Sequence, residues 1–305
     1  PSREGGARLR SGPGLHPWPP VDNRRPHPVG PTCALRYAPP MTEPHTDSAR
    51  VLASLTGVVK RYGDLTVLEG LDFEVRAGEV VGLLGPNGAG KTTSVRILCG
   101  LLDMDAGQAT LAGHDVAAHP IEARKSLGYV PDGAPLYPNL SARQHLALVA
   151  GLHGMDEGPA KVRADHLLAG FDLSDRGDDP VGRFSRGMRQ KTAIACALLP
   201  EPELLVLDEP LSGLDAPSAS TIKALLRGWA DRGGAVLYTS HLLDVVERVC
   251  DRMLILSGGR LVGSGSLEEL RTAAGRDGTL EQVFGTLART EDPEARARAL
   301  LNPGS

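Results

Sequence analysis

The chain of 305 residues is long enough for one large domain or two small ones, and its 41% hydrophobic residues are ample for a buried core. A formal net charge of −4 gives no global pull toward nucleic acid. No run approaches the ~18–20 consecutive apolar residues that cross a bilayer, and the N-terminus lacks the charged-then-apolar plan of a signal peptide, so the chain is not expected to cross a membrane itself.

The first segment, residues 1–49, holds ten of the 24 prolines before Met41, with many Gly and Arg and no apolar periodicity. That composition buries too little surface to offset ordering entropy, and disorder is expected. Met41 opens an ordinary polar lead-in, which makes residues 1–40 a candidate artefact of upstream translation. From Val51 to Ser266, strand and helix patterns alternate as in a parallel α/β sheet with covering helices, and one domain is expected over 50–266. "VLASLTGVVKRYG" and "LTVLEGLDFEVRAGEVVGLLG" are strand-like, with Gly-containing turns between them. The segment from about 137 to 180 has helical spacing and no strand signal, with Ser141 as the expected N-cap of its first helix. It reads as a helical insertion, bounded as a subdomain at about 133–195. "ELLVLD" (203–208) and "GAVLYTS" (234–240) are short apolar strands of the fully buried type. Between them residues 217–232 read as a helix, with Pro217 in its first turn. The tail, 267–305, carries two short helical patterns, and no internal repeat is found. Cys33, Cys99, Cys196 and Cys250 lie far apart with no CxxC pair. Buried free thiols in a reducing cytoplasm are expected, rather than bridges or a metal site.

"GPNGAGKT", Gly85 to Thr92, follows the apolar strand "EVVGLL" and precedes the helical "TTSVRILCGLL". Glycines let the backbone curl so that successive N–H groups converge on a phosphate, and the helix N-terminus adds its positive dipole end. Lys91 can reach the β- and γ-phosphates, and the Thr92 hydroxyl can ligate Mg²⁺. The bland reading is a Gly-rich turn with an incidental lysine, but strand, loop and helix stand in the required order. "LLVLDEP" adds Asp208 at the carboxyl end of a buried strand, where it can hold Mg²⁺ through a water. Glu209 follows, close enough to polarise an attacking water. His241 stands after another buried strand, where a lone histidine reads equally as structural or catalytic.

In order, these motifs resemble those of the nucleotide-binding subunit of an ATP-binding cassette (ABC) transporter, over roughly residues 51–265. "GPNGAGKT" is similar to the Walker A loop, "LLVLDEP" to Walker B, "SGLD" (212–215) to the D-loop and "TSH" (239–241) to the switch-histidine segment. The resemblance implies a P-loop NTPase core, a mainly parallel sheet with covering helices, an N-terminal antiparallel β portion and an inserted helical subdomain. It implies ATP and Mg²⁺ as cofactors. Nucleotide contacts then fall on Tyr62 (beneath adenine), Gly85, Pro86, Asn87, Gly88, Ala89, Gly90, Lys91, Thr92, Thr93, Asp132, Ser185, Gly187, Asp208 and Asp215. Metal contacts fall on Thr92, Asp132 and Asp208, and catalysis on Glu209 and His241.

Two departures stand out. "FSRGMRQK" (184–191) lies where the family has "LSGGQ": Ser185 and Gly187 are kept, while Phe184, Arg186 and Met188 differ. In the family two cassettes pack head to tail, and this signature faces the ATP held by the other copy. Arg186 replaces a glycine, so its side chain either points away or adds charge near the phosphate. The bland reading of the run is a basic helix start. At the Q-loop position, "YVPDGAPLYP", Asp132 stands in place of glutamine, either as a ligand of Mg²⁺ or as the start of a "PDG" turn.

The resemblance implies a second copy or a homologous cassette and integral membrane permease subunits as partners, with no nucleic acid. It places the chain peripherally at the cytoplasmic face of the cell membrane. "TLEQVFGTL" resembles a tail of cassettes that serve exporters; it also reads as an amphipathic helix packing on its own domain. The alternative function is a soluble cassette ATPase of translation or DNA repair. A single cassette, no sustained heptads and the acidic balance argue against it. A P-loop kinase or GTPase has no use for the signature, D-loop and switch histidine together.

Overall fold

The computed structural model describes residues 50–211, 213–240, 243–275 and 278–288. The segment expected to be disordered, 1–49, lies outside the described residues, as do Ser212, His241 and the end of the tail.

Two long strands, β1 (Val51–Tyr62) and β2 (Leu65–Arg76), pair antiparallel. Leu71, Phe73 and Val75 of β2 are buried while Asp72 and Glu74 face water, the period of two expected of a sheet covered on one face. β3 (Val80–Leu84) is buried at every residue, as a strand covered on both faces must be. It leads through the glycine-rich loop into α1 (Lys91–Leu98). β4 (Ala106–Leu111) and β5 (His114–Asp115) complete an antiparallel sheet of order β2-β1-β4-β5. After α2 (Pro120–Lys125), β6 (Leu127–Val130) begins the far edge of the second sheet.

The chain then turns helical. α3 (Ala142–Leu152), α4 (Glu157–Gly170) and α5 (Arg186–Leu198) make the insertion, with two short 3₁₀ turns between α4 and α5. Ser141 caps α3 as expected. The Gln144 N–H donates to Ser141 Oγ (3.1 Å) and the Ser141 N–H donates to Gln144 Oε1 (2.8 Å), a reciprocal capping box. No strand lies in this segment among the described residues.

β7 (Leu204–Asp208), α6 (Ala216–Ala230), β8 (Ala235–Thr239), α7 (Leu243–Val249), β9 (Arg252–Ser257) and β10 (Arg260–Gly265) close the second sheet, of order β10-β9-β3-β8-β7-β6. Its pairs are parallel except at the β10 edge. One continuous core joins Leu52, Leu55 and Phe73 of the first sheet to Val95 and Leu98 of α1 and to Leu83, Val206, Leu237 and Leu254 of the second. Each such Leu contributes about 1.5–3 kcal/mol by leaving water, so α1 is clamped between sheets and the loop before it has a fixed base. Cys99, Cys196 and Cys250 are free, and burial pushes the thiols of Cys196 and Cys250 up to about 12, which makes them inert.

The tail helices α8 (Leu267–Ala274) and α9 (Leu280–Ala288) pack on β9 and β10 of their own domain. Leu270 and Leu287 press so closely over Gly263 that a Cβ there would stand 3.1 Å from each. The described part of "TLEQVFGTL" is therefore a packed amphipathic helix, with Leu280 and Val283 buried. No helix among the described residues is long and apolar enough to cross a membrane.

Candidate nucleotide site

The loop between β3 and α1 needs its glycines for contact as well as curvature. A Cβ on Gly85 would lie 2.4 Å from the Leu256 carbonyl oxygen, and one on Gly90 would lie 2.5 Å from a Leu68 methyl. Gly90 also sits at φ +104 as the N-cap of α1, with no side chain capping the helix. The first N–H groups of α1 thus lack a side-chain acceptor, and such a helix start after a glycine-rich loop is suited to take an anion. Lys91 Nζ donates to Gly85 O (2.6 Å) and Pro86 O (3.2 Å), so its charge is folded over the loop. Partial burial lowers the Lys91 pKa from its ordinary value, while Glu209 and then Asp208 pull it back toward the charged form. The Thr92 side chain is exposed at the mouth of the loop.

Parallel pairing of β7 with β8 sets Asp208 opposite Thr239. Both are buried, and Thr239 Oγ1 donates to Asp208 Oδ1. One residue on, the Glu209 N–H donates to Thr239 O (3.1 Å) and Ser240 Oγ donates to Glu209 Oε2 (3.3 Å). Glu209 sits at φ +51, a left-handed conformation that costs a non-glycine residue about 1–3 kcal/mol. The strand end therefore holds two hydrogen-bonded carboxylates in different settings, one buried at the end of the strand, one half-buried on a strained backbone. Thr239 and Ser240 are the positioning residues that sequence reasoning missed. Their signals were the polar "TS" that ends an apolar strand and its place in the "TSH" segment, neither of which points to the carboxylates they bond.

Ser185 caps α5, its Oγ accepting from the Met188 N–H at 3.2 Å, and its side chain is exposed. The replaced residue Phe184 is buried and serves as an anchor. The basic run is mostly engaged within the chain. Arg189 donates to Phe184 O at 2.6 Å, Lys191 helps hold the Asp215 carboxyl below its ordinary range, and the stem of Arg186 lies against Gly213. Asp215 caps α6 by accepting from the Ser218 N–H (2.8 Å), and hydrogen bonding from Ser218, its side chain first and its backbone N–H second, is the main cause of the lowered Asp215 pKa. Among the described residues no hydrogen bond or ion pair joins Ser185 or Gly187 to the 85–92 loop.

Tyr62 ends β1 with half its surface exposed, and Lys60 Nζ lies 5.5 Å from its ring centroid. Asp132 is exposed in a turn closed by the Ala134 N–H to Pro131 O (3.2 Å), with Gly133 at φ +77. The turn reading thus has a visible structural basis. His241 lies outside the described residues. No group of three or more His, Cys, Asp or Glu among the described residues could hold a metal unaided. Thr92 and Asp208 supply hard oxygen donors, and Mg²⁺, which keeps several waters and takes phosphate oxygens, fits so small a donor set.

Comparison with known proteins agrees with this geometry. The family model described as ABC transporter matches residues 68–212. The daunorubicin resistance ATP-binding protein DrrA3 of Streptomyces coeruleorubidus is 41% identical over 224 residues, covering 73% of this chain and 71% of that protein. The chain belongs to the ABC transporter family. This ABC protein is an ATP-binding cassette with ATP hydrolase activity, and its two-sheet fold with a helical insertion is the family's. Nod factor export ATP-binding protein I of Ralstonia nicotianae is 37% identical over 238 residues, 78% of this chain and 74% of that one. A dimeric structure of a post-hydrolysis state of an ATP-binding cassette, bound to ADP and Pi, superposes with a TM-score of 0.64 at 25% identity. It covers 70% of this chain and 98% of that chain.

Proposed function

We propose that this cassette is one half of a head-to-tail pair that binds two ATP molecules between its copies and powers export through a separate membrane permease. The carrying observation is the incompleteness of the site within one chain. The phosphate loop and both carboxylates stand together, while Gly187 packs against Gly213 and Leu214 of its own D-loop and Ser185 caps an exposed helix start. A second copy supplies what is missing.

In each half-site Tyr62 stacks under adenine, the 85–90 loop and the first turn of α1 cradle the phosphates, and Lys91 neutralises the β- and γ-oxygens. Thr92 and Asp208 would hold Mg²⁺, which when bound neutralises charge developing on the phosphate oxygens. Glu209, whose carboxylate is held by the Ser240 hydroxyl, accepts a proton from the water that attacks in line. Ser185 Oγ and the Gly187 N–H of the opposite copy donate to the γ-phosphate, and Asp215 fixes the D-loop beside it. His241 contacts the γ-phosphate and links hydrolysis to reopening.

The groove between β6 and the insertion, about 220 Å³ and lined by Tyr129, Leu136, Val149 and His153, is the face offered to the permease. The working location is the cytoplasmic face of the membrane. Relatives named for drug resistance and for Nod factor export support the export direction.

The test is Glu209→Gln with ATP and Mg²⁺. The variant should bind ATP, cease to turn over and elute as a stable dimer by light scattering. A monomer at saturating ATP, or turnover at the wild-type rate, contradicts the reading.

A further inference from the structure

We infer that Lys60 is a positioning residue for the nucleotide base: pinned by Asp105, its ammonium group backs the ring of Tyr62 and prepares the opposite face to stack on a purine. This role rests on the stacking of adenine on Tyr62 proposed above, and adds what holds that ring and tunes it.

The hairpin that carries Tyr62 starts beside the phosphate loop. Lys60 pairs with Leu68 across β1 and β2, and a Leu68 methyl would stand 2.5 Å from a Cβ on Gly90. The register then shifts. Lys60 faces Leu68 while Arg61 faces Thr66, with Val67 as the extra residue. Such a bulge kinks the ladder and re-aims the residues beyond it. Tyr62 and its cross-strand partner Leu65 end the hairpin, 50% and 65% exposed. Directly opposed residues share a face of the sheet. A ring and a leucine thus stand side by side in water, where a flat aromatic group can cover both.

Asp105 holds the other side. Its own N–H donates to Val59 O (2.9 Å), its Oδ2 accepts from the Arg61 N–H (2.5 Å), and its Oδ1 lies 3.6 Å from Lys60 Nζ. One aspartate therefore ties the backbone on both sides of Lys60 and holds its ammonium. The Lys60 side chain is only 12% exposed, and Nζ stands 5.5 Å from the centroid of the Tyr62 ring. A lysine that merely solvated the sheet would keep its head in water. Here the head is shared by a carboxylate and an aromatic face. Among the described residues no aromatic ring lies against Tyr62, so the face away from Lys60 has no ring stacked on it. Two effects follow. The cation restricts rotation of the ring, which removes part of the ordering cost of binding. It also draws π density toward itself, so the outer face repels the negative face of a stacked base less.

The experiment uses the full chain and two ligands, MgATP and tripolyphosphate, which carries the phosphates without a base. Calorimetry gives the dissociation constants. Lys60→Met keeps the length of the stem and removes the charge. It should weaken ATP binding about threefold to tenfold and leave tripolyphosphate within about twofold of wild type. Lys60→Arg, which retains a cation, should stay within about twofold for both ligands. Asp105→Asn keeps an acceptor for the Arg61 N–H but releases Lys60, and should follow Lys60→Met. In the Tyr62→Leu background Lys60→Met should weaken ATP no further. If Tyr62→Leu binds ATP as wild type does, the base does not stack there and both readings fall. If Tyr62→Leu weakens ATP while Lys60→Met does not, stacking stands and the role of Lys60 is overturned. Equal loss of ATP and tripolyphosphate in Lys60→Met would put its charge at the phosphates, or its effect in the fold, and also overturn that role. An Asp105→Asn variant with wild-type affinity for ATP would overturn the pinning.

Discussion

Replacing Thr239 by valine tests whether the end of β8 holds the Asp208 carboxylate. Valine keeps the β-branched shape that suits a buried strand, and removes one hydroxyl. That hydroxyl donates to Asp208 Oδ1, and both residues are buried, so no bulk water replaces the lost donor. A hydrogen bond to a charged group contributes about 1.5–3 kcal/mol, and the orphaned carboxylate oxygen places the loss in the upper part of that range. For a chain of this size such a loss lowers the melting temperature by roughly 3–12 °C. Asp208 would also be free to rotate, so half-maximal hydrolysis should need more Mg²⁺. Thr239→Ser, which keeps the hydroxyl, should retain the wild-type Mg²⁺ dependence. Thermal melts and an Mg²⁺ titration of ATP hydrolysis read both effects. A Thr239→Val variant that melts within a degree of wild type, with the same Mg²⁺ dependence, would refute the argument.

His145 is buried, with Nδ1 bonded to Ser141 O (2.8 Å) and Nε2 accepting from the Tyr137 N–H (3.0 Å). Only the neutral ring makes both bonds, and burial lowers its pKa from the ordinary value. In the unfolded chain the ring titrates near ~6.5. Its stabilisation should therefore be complete above that pH and be lost as pH falls through the lower folded value. The melting-temperature gap between wild type and His145→Gln should shrink on acidification; a gap that widens would reverse the sign. Gly85→Ala drives a methyl against the Leu256 carbonyl, a backbone atom that cannot step aside. It should abolish binding of a fluorescent ATP analogue, and retained binding would show that the loop is looser than described.

Local chemistry made part of this protein legible in advance. Gly85 to Thr92 could be read because strand, glycines, lysine and helix are consecutive. Ser141 and Pro217 could be read because caps and first turns act within a few residues. The Thr239 to Asp208 bond could not, because it spans two strands whose parallel register appears only once the sheet has formed. Arg186 was legible as a departure, yet its direction depended on Gly213, which meets it only through tertiary packing. Asp132 was left between metal and turn. The hydrogen-bonded turn from Pro131 to Ala134 gives the second reading its basis. β4 is mostly exposed along its first half, so it carries little apolar signal of its own and is defined by pairing with β1.

The central claim, an ATPase that drives a separate membrane protein, is tested most directly by capture from the native host. Tagged Glu209→Gln would be expressed there, membranes solubilised, and the protein recovered with ATP and Mg²⁺. The account predicts a polytopic membrane protein in stoichiometric amount, lost when Tyr137 and Leu152, exposed beside the groove, are replaced by charged residues. Recovery from the cytosol alone, with ribosomes or DNA as the companion, would contradict it and leave a cassette ATPase with another task.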